Sequence, residues 1–198
     1  MVAKRRAQMQ EETRAKLIKA ARKAFAAKGY AASSMDELTA DAGLTRGALY
    51  HNFGDKKGLL QAVVQEIDAE MSLRLQQVSA SAPSRWQGFV DEYAAYIEMA
   101  LEPEIQRIMF RDGPAVLGDM SQWPSANGCI VALKKSLSEL KADGMIVDVD
   151  EEATARLLNG ASIHAAMWIA NSDDPQATSS KAVEGFRALL EQLRVRAD

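Results

Sequence analysis

The chain has 198 residues and carries 24 Lys and Arg against 27 Asp and Glu, a net charge of −3. Hydrophobic residues make up 47% of it, which is ample for a packed core and excludes a disordered chain. Its single cysteine, Cys129, excludes an internal disulfide and a cysteine-based zinc site. No apolar run approaches the roughly 20 residues that span a bilayer. Without a secretory signal pattern, the sequence predicts a protein of a reducing, cytoplasmic compartment and no membrane partner.

The charges are unevenly distributed along the chain. Residues 1–60 hold 12 Lys and Arg against 6 Asp and Glu, a net charge of +6. Residues 61–198 hold 12 Lys and Arg against 21 Asp and Glu, a net charge of −9. The basic N-terminal part of the chain is called the head here, and the acidic remainder is called the body. This division of charge indicates that the head binds a polyanion. A solvated charged face would give the same counts, so charge alone leaves both interpretations open.

The N-terminal segment is predicted to be a loose basic arm, residues 1–10, followed by a helix from about Glu11 to Lys28. The cations of the arm, Lys4, Arg5 and Arg6, suit contacts with the sugar–phosphate backbone or with a minor groove. A disordered terminus is the alternative. The first helix carries an apolar stripe and is expected to brace the segment that follows it.

Two short helices joined at Gly43 are predicted between Ser33 and Phe53. Ser34 and Glu37 form a capping-box pattern at the start of the first helix, and Gly43 suits the left-handed residue that ends it. This is the pattern of a helix-turn-helix, in which one helix braces and the second exposes polar side chains to the major groove. The residues predicted to contact DNA are Ser34, Thr45, Arg46, Gly47, Ala48, Tyr50, His51, Asn52 and Lys56.

These residues have different predicted roles. Arg46 is a candidate for a guanine edge or a nearby phosphate, and His51 for a base contact. Thr45, Tyr50 and Lys56 are expected to hold phosphates, because backbone contacts position the helix and base contacts specify the sequence. Lys56 lies in the first turn of a predicted fourth helix, where a lysine and free backbone N–H groups together make a phosphate site.

From Thr13 to Leu60 the chain resembles the DNA-binding domain of the TetR family of bacterial transcriptional regulators. The chain departs from the family pattern at two positions. Asn52 stands where a second histidine is common, and Lys57 stands where an acidic residue is common. Both departures bear on operator preference, and neither affects the apolar positions of the domain. The matching pieces are Thr13-Arg14, Ala20-Ala21, Phe25, Lys28-Gly29-Tyr30, Ser34-Met35, Leu38, Ala42-Gly43-Leu44, Gly47-Ala48-Leu49-Tyr50, Phe53, Lys56 and Leu59.

The rest of the chain is also predicted to be helical, giving an all-α fold of about nine helices. A long helix from Lys56 to Val78 is predicted to join the head to the body. A short helix from Glu104 to Arg111 is predicted to close at Asp112-Gly113-Pro114, followed by a loop over residues 113–124. Three more helices follow, each with an apolar stripe. The segment from Arg107 to Gly118 resembles a run that recurs in one branch of the TetR family.

The last two helices are apolar on more than one face, which indicates burial on several sides. The family resemblance implies a homodimer in which two helices from each subunit form a four-helix bundle; a tightly enclosed monomer core is the alternative. The residues predicted for this dimer interface are Leu157, Ala161, Val183, Phe186, Leu190 and Leu193.

His164 and Trp168 are four residues apart and therefore share a helical face. They are interpreted as one wall of a mostly apolar cavity for a small-molecule effector. Plain core packing is the alternative, and it is the simpler explanation of each side chain taken singly. The residues predicted for this cavity are Tyr93, Tyr96, Met99, Phe110, Trp123, His164 and Trp168.

No catalytic, metal or cofactor pattern is found in the sequence, so no enzyme activity, no metal and no cofactor are predicted. Residues 1–55 are predicted to bind a roughly palindromic double-stranded operator, and residues 56–198 to dimerise and bind the effector. The predicted function is a bacterial, nucleoid-associated repressor released by ligand. The alternatives are an activator, a regulator that answers to a protein partner, and an all-helical enzyme with an appended DNA-binding head.

Overall fold

The computed structural model describes residues 2–195, with side chains from Arg5 onward. Within that range the all-α expectation is confirmed, and a helical head is joined by one long helix to a helical body. The helices are α1 (Val2–Lys28), α2 (Met35–Asp41), α3 (Arg46–Phe53), α4 (Lys56–Ser81), α5 (Arg85–Glu98), α6 (103–117), α7 (Ala126–Ala142), α8 (Glu151–Ala170) and α9 (Pro175–Glu191). None of these helices combines the length and the hydropathy that a membrane-crossing segment requires.

The predicted loose arm is wrong for residues 2–10, which form the first turns of α1. No proline or glycine interrupts residues 2–28, and Gln8 donates a hydrogen bond to Glu12 at 3.2 Å, one helical turn on. The side chain of Lys4 lies outside the described residues. The cations Arg5 and Arg6 are exposed on this helix.

The predicted helix end at Asp112-Gly113-Pro114 is also wrong. Helix α6 consists of Pro103–Arg107, a π-helical turn at Ile108–Asp112 and a final α-helical turn at Gly113–Leu117. The N–H of Gly113 donates to the carbonyl of Ile108, five residues back, so the chain continues as a helix with a shifted register. Pro114 falls in the first turn of the last part, where a missing N–H is tolerated.

The head is held by a small apolar core in which α1 braces α2 and α3. Phe25 of α1, Leu38 of α2 and Leu49 of α3 are fully buried, and Leu59 continues this core into α4. Since α4 starts in the head and then packs along α5 in the body, it joins the two parts of the chain without a linker.

Helix α6 places the body directly against the C-terminal end of α1. Arg107 donates from Nη1 to the carbonyls of Ala26 and Ala27, at 3.2 and 2.9 Å. The carboxylate of Asp112 accepts the backbone N–H of Tyr30 at 2.7 Å. Two residues of α6 therefore satisfy backbone groups that the end of α1 leaves without helical partners.

The π-helical turn ends at Gly113, where there is no room for a larger side chain, and this packing predicts the effect of a substitution on stability. A Cβ on Gly113 would lie 2.7 Å from the carbonyl oxygen of Ile108 and 2.8 Å from Cη2 of Trp123. We expect Gly113→Ala to lower the free energy of unfolding by about 1–3 kcal/mol, as overpacking of a dense interior does. Chemical denaturation followed by circular dichroism measures it.

The matched control is Gly128→Ala on α7, where an added Cβ meets no heavy atom within 4 Å. That variant should be neutral or gain up to about 1 kcal/mol, because alanine is the better helix former. Equal stabilities for the two variants would contradict the packing described for Gly113.

Candidate functional site

The two helices of the predicted motif begin and end as the sequence indicates. Ser34 Oγ accepts the N–H of Glu37 at 3.1 Å, and the carboxylate of Glu37 accepts the N–H of Ser34 at 3.4 Å, which completes the capping box. Gly43 has a φ of +65°, in the left-handed region that favours glycine. Thr45 Oγ1 accepts the N–H of Ala48 at 3.3 Å and caps α3. Local hydrogen bonding therefore fixes the angle between α2 and α3.

The structure places all nine predicted DNA contacts at or near the surface of the head. Six of them are exposed, namely Ser34, Thr45, Arg46, Gly47, Tyr50 and His51. Ala48, Asn52 and Lys56 are partly buried. The outer side of α3 thus presents polar and aromatic groups to solvent, while Leu49 faces the core. Their contacts with DNA stay a prediction.

Arg46 is paired with Asp36, a residue that the sequence analysis did not single out. Nε and Nη2 of the guanidinium donate to the two oxygens of the Asp36 carboxylate. This pairing lowers the pKa of Asp36 and raises the pKa of Arg46. Both side chains are more than half exposed, so the pair orients the guanidinium without burying it. The carboxylate holds Arg46 at the start of α3, in the fork geometry that suits a planar guanidinium.

The C-terminal end of α3 carries a second cation that sequence reasoning missed. The guanidinium of Arg14 on α1 lies 4.6 Å from the ring centre of Phe53 and donates to the backbone carbonyl of Asn52 at 3.4 Å. The side-chain amide of Asn52 donates to the carbonyl of Ala48 at 2.7 Å, inside its own helix. This bond uses one of the two N–H donors of the Asn52 side-chain amide.

Lys56 stands over the ring of Tyr30, with Nζ 4.2 Å from the ring centre. Its Nζ also donates to the carbonyl of Ala31 at 3.5 Å. Partial burial lowers the pKa of Lys56, and the nearby charge of Asp112 acts in the opposite direction. Asp55 caps the same helix by accepting the N–H of Gly58 at 2.7 Å. The ammonium is thus positioned at a helix N-terminus, where phosphate oxygens bind readily.

The body brings together only part of the predicted effector cavity. The rings of Tyr96 and Phe110 meet edge to face at 6.0 Å, and Tyr93 packs against Phe186 at 4.9 Å. Met99 and Trp123 are buried in the same apolar core, and Nε1 of Trp123 donates to the carbonyl of Gly118 at 3.3 Å.

The structure does not bring His164 and Trp168 into this group, and their part in the predicted effector cavity stays a prediction. The inward face of α8 consists of Ala155, Leu158, Ser162, Ala166 and Ile169. His164 and Trp168 occupy another face and are exposed, Trp168 to 50%. His164 lines a surface groove of about 350 Å³ between α7 and α8, with Asn127, Ile130 and Met167 among the other lining residues.

The predicted dimer residues also divide into two groups. Leu157 is 73% exposed, and Ala161, Val183 and Leu193 are partly exposed. Phe186 and Leu190 are only 5% and 0% exposed within the single chain, and their assignment to a subunit interface stays a prediction. They lie on the inward face of α9 with Thr178, Ser179 and Ala182, and they pack on the core of their own subunit.

Within residues 2–195 no group of three or more His, Cys, Asp or Glu side chains is arranged to hold a metal ion.

Comparison with known proteins identifies both parts of the chain. Residues 17–63 match the family described as bacterial regulatory proteins, tetR family. Residues 86–193 match the family described as tetracyclin repressor-like, C-terminal domain. The second match alone covers more than half of the chain.

Similar proteins agree with this result. A TetR-family transcriptional regulator from Pectobacterium atrosepticum, of known crystal structure, is 48% identical, covers 96% of this chain and 98% of its own, and superposes with a TM-score of 0.89. The transposon Tn10 TetC protein of Escherichia coli is 24% identical over 186 residues, 90% of each chain. The HTH-type transcriptional regulator SrpR of Pseudomonas putida is 41% identical over 63 residues, 32% of this chain and 30% of its own.

The geometry of the head and the matches along the chain lead to the same conclusion. The chain belongs to the TetR family of helix-turn-helix transcriptional regulators, a family of DNA-binding proteins and not of enzymes.

Proposed function

We propose that the protein is a homodimeric transcriptional repressor that a small-molecule effector releases from its operator. The observation that carries this proposal is the direct contact between the body helix α6 and the DNA-binding head. Asp112 of α6 holds the N–H of Tyr30, and the ring of Tyr30 lies beneath the ammonium of Lys56. A shift of α6 therefore reaches a predicted phosphate contact in two steps.

The route from the body to this contact starts at α5. The ring of Tyr96 on α5 meets Phe110 of α6 at 6.0 Å. Phe110 lies in the π-helical turn that ends at Asp112. An effector bound beside Tyr96 acts on that turn, and it shifts the head only to the extent that it binds one arrangement of the turn more tightly than the other. Moving the two arrangements from a ratio of 1:99 to 99:1 requires the effector to bind one of them about 5.5 kcal/mol more tightly than the other. Two sites in a dimer can share this difference in binding free energy.

The proposed dimer uses the outward faces of α8 and α9. Leu157 and Trp168 of α8 are 73% and 50% exposed, and Leu189 of α9 is 59% exposed. Apolar side chains grouped on neighbouring helices favour a self-complementary interface. A two-fold axis through it places two heads on one face of the DNA, so a roughly palindromic site with half-sites about one helical turn apart is expected.

Sequencing the fragments that the purified protein retains from source genomic DNA tests the proposal. The expected result is a small set of fragments that share a roughly palindromic site near promoters, and transcription from those promoters should fall when the protein is added. Retention of fragments without a common site, or stimulation of transcription, would contradict the repressor.

Substitutions in the head should distinguish side chains that bind the DNA backbone from side chains that contact the bases. We expect Lys56→Ala to weaken binding to all DNA sequences alike and to flatten the slope of log affinity against log salt by about one unit. We expect Arg46→Ala to cost about 1–3 kcal/mol at the operator and less on unrelated DNA, as loss of a bidentate base contact does. Fluorescence anisotropy with labelled duplexes over a salt series measures both effects.

The control for this series is Lys135→Ala, an exposed lysine of α7 in the body and outside the proposed dimer interface. It removes the same charge and should leave both the affinity and the salt slope unchanged. If Lys56→Ala and Arg46→Ala behave like this control, the assignment of the DNA-binding face is wrong.

The outward face of α8 gives a prediction about assembly. Leu157→Glu places a charge in the proposed interface and should convert the dimer to monomers at micromolar concentration, with weaker operator binding because one half-site offers half of the contacts. Leu73→Glu is the matched control, since Leu73 of α4 is 60% exposed and lies outside that face. Sedimentation velocity gives the two oligomeric states. A Leu157→Glu dimer as stable as the wild type would exclude this interface.

A further inference from the structure

The proposed DNA-binding face carries an acid beside the residue that is predicted to contact a base. Asp36 lies in the first turn of α2, and Arg46, ten positions later in the chain, begins α3. Both side chains are exposed, so the packing of the core does not require either of them. A carboxylate on a surface that meets DNA repels the phosphates, each of which carries a negative charge. Asp36 therefore needs a role that outweighs this repulsion.

The hydrogen bonds of the pair determine which edge of the guanidinium stays free. Nε and Nη2 of Arg46 each donate an N–H to one oxygen of the Asp36 carboxylate. A guanidinium has five N–H donors, so three remain, two on Nη1 and one on Nη2. Nη1 and Nη2 together form the flat edge at the end of the side chain. That edge matches O6 and N7 of guanine, the acceptors of the commonest specific arginine contact in a major groove.

The pair also changes how strongly the guanidinium attracts a phosphate. The hydrogen bond from Arg46 lowers the pKa of Asp36, so the carboxylate is ionised at neutral pH. The two opposite charges partly cancel, which weakens the attraction of Arg46 to the DNA backbone. Contact with a base edge depends on the direction of the N–H groups, which the carboxylate fixes. Pairing with Asp36 thus favours a guanine edge over a phosphate as the partner of Arg46.

The start of α2 does not need the side chain of Asp36 as a cap. Ser34 and Glu37 complete the capping box there. Glu37 also contacts Lys28, with a single N–O distance of 3.4 Å. An acid in the first turn stabilises a helix through the helix dipole, and Glu37 shares this property with Asp36. The two-point bond to Arg46 is what distinguishes Asp36 from its neighbour.

We propose that Asp36 is a positioning residue that directs Arg46 to a guanine of the operator and away from the phosphates. This inference rests on the proposed function, because it assigns a base that the head reads. Asp36 holds one edge of the guanidinium and leaves the other for the two acceptors of guanine. On DNA without a guanine at that position, the free edge finds no such pair of acceptors on a single base. Asp36 therefore raises the affinity for the operator relative to that for unrelated DNA.

Fluorescence anisotropy with two labelled duplexes tests this proposal on the full-length protein. One duplex carries the site shared by the genomic fragments that the protein retains, and the other is an unrelated sequence of equal length. Asp36→Asn keeps the shape of the side chain and removes its charge and one acceptor oxygen. The ratio of the two affinities should fall by about tenfold, as expected for loss of a bidentate base contact.

The salt dependence of the same variant gives a second measurement. On the unrelated duplex, Asp36→Asn should bind more tightly than the wild type. Its slope of log affinity against log salt should be steeper by about one unit, because Arg46 is then free to bind a phosphate. A merely structural role of Asp36 predicts the opposite result, weaker binding to both duplexes by the same factor, and that result would overturn the proposal.

Replacement of single guanines of the site by 7-deazaguanine identifies the base, since this analogue lacks the N7 acceptor. At one guanine of a half-site, the wild type should lose about tenfold in affinity, as loss of a hydrogen bond to a charged donor does. Asp36→Asn and Arg46→Ala should lose about twofold or less at that guanine. Equal losses for the three proteins at every guanine would overturn the proposal.

Glu37→Gln is the matched control for Asp36→Asn. It removes an equal charge from the same turn of α2, and glutamine retains the capping box. It should change both affinities by the same factor and leave their ratio unchanged, and thermal unfolding of each variant verifies that the fold is retained. If Asp36→Asn lowers the ratio no more than Glu37→Gln does, the proposal is wrong.

Arg46→Ala separates this proposal from the proposed DNA-binding face. If Arg46→Ala lowers the ratio and Asp36→Asn does not, only the positioning role is excluded. If Arg46→Ala leaves the ratio unchanged, the assignment of the face is wrong as well. In the double variant the ratio should fall no further than in Arg46→Ala alone, because a positioning residue acts through the residue that it positions. A further fall in the double variant would contradict that role.

Discussion

The contact between α6 and the end of α1 is the constraint on which the arrangement of head and body depends. The last carbonyls of a helix have no partner within the helix, and Arg107 satisfies two of them from another part of the chain. Gly29, with a φ of +85°, turns the backbone there, and a Cβ at that position would lie 3.3 Å from Nε of Arg107. The turn brings the N–H of Tyr30 to Asp112. The end of the bracing helix is thus completed by residues of the body.

Electrostatics reinforce the same junction. The guanidinium of Arg22 on α1 reaches Glu66 and Glu70 of α4 and Glu104 of α6, at 3.1, 2.6 and 2.8 Å. Hydrogen bonds to Glu104 and Glu70 raise the pKa of Arg22, and burial opposes them in part. An isolated exposed pair contributes about 0–1 kcal/mol. Here one partly buried cation joins three acids on two helices, and without it these acids would repel one another across the junction.

The head was predictable from the sequence because its signals are local. Ser34 with Glu37, Gly43 and Thr45 each determine the backbone within three or four residues, and the structure has every one of these caps and turns. The pairing of Arg46 with Asp36 was not predictable in this way. The two residues are ten positions apart on different helices, and only the folded angle between α2 and α3 brings them together.

The body was less predictable because periodicity identifies an apolar face without saying what covers it. Phe186 and Trp168 both lie on apolar helices, yet Phe186 is buried in its own subunit and Trp168 is half exposed. The π-helical turn of α6 was also missed, since Gly113-Pro114 is typical of a helix end.

The central claim is that α6 fixes the DNA-binding head through Asp112, and the operator dissociation constant of Asp112→Ala tests it most directly. Asp119→Ala is the control, because Asp119 is an exposed cap of the loop after α6. At fixed salt, with dimerisation and helix content unchanged, Asp112→Ala should weaken operator binding by about tenfold. Loss of a partly buried charged hydrogen bond costs about 1.5–3 kcal/mol, and only part of that free energy is lost from operator binding. Asp119→Ala should bind as the wild type does. An Asp112→Ala dissociation constant equal to that of the wild type would contradict the account.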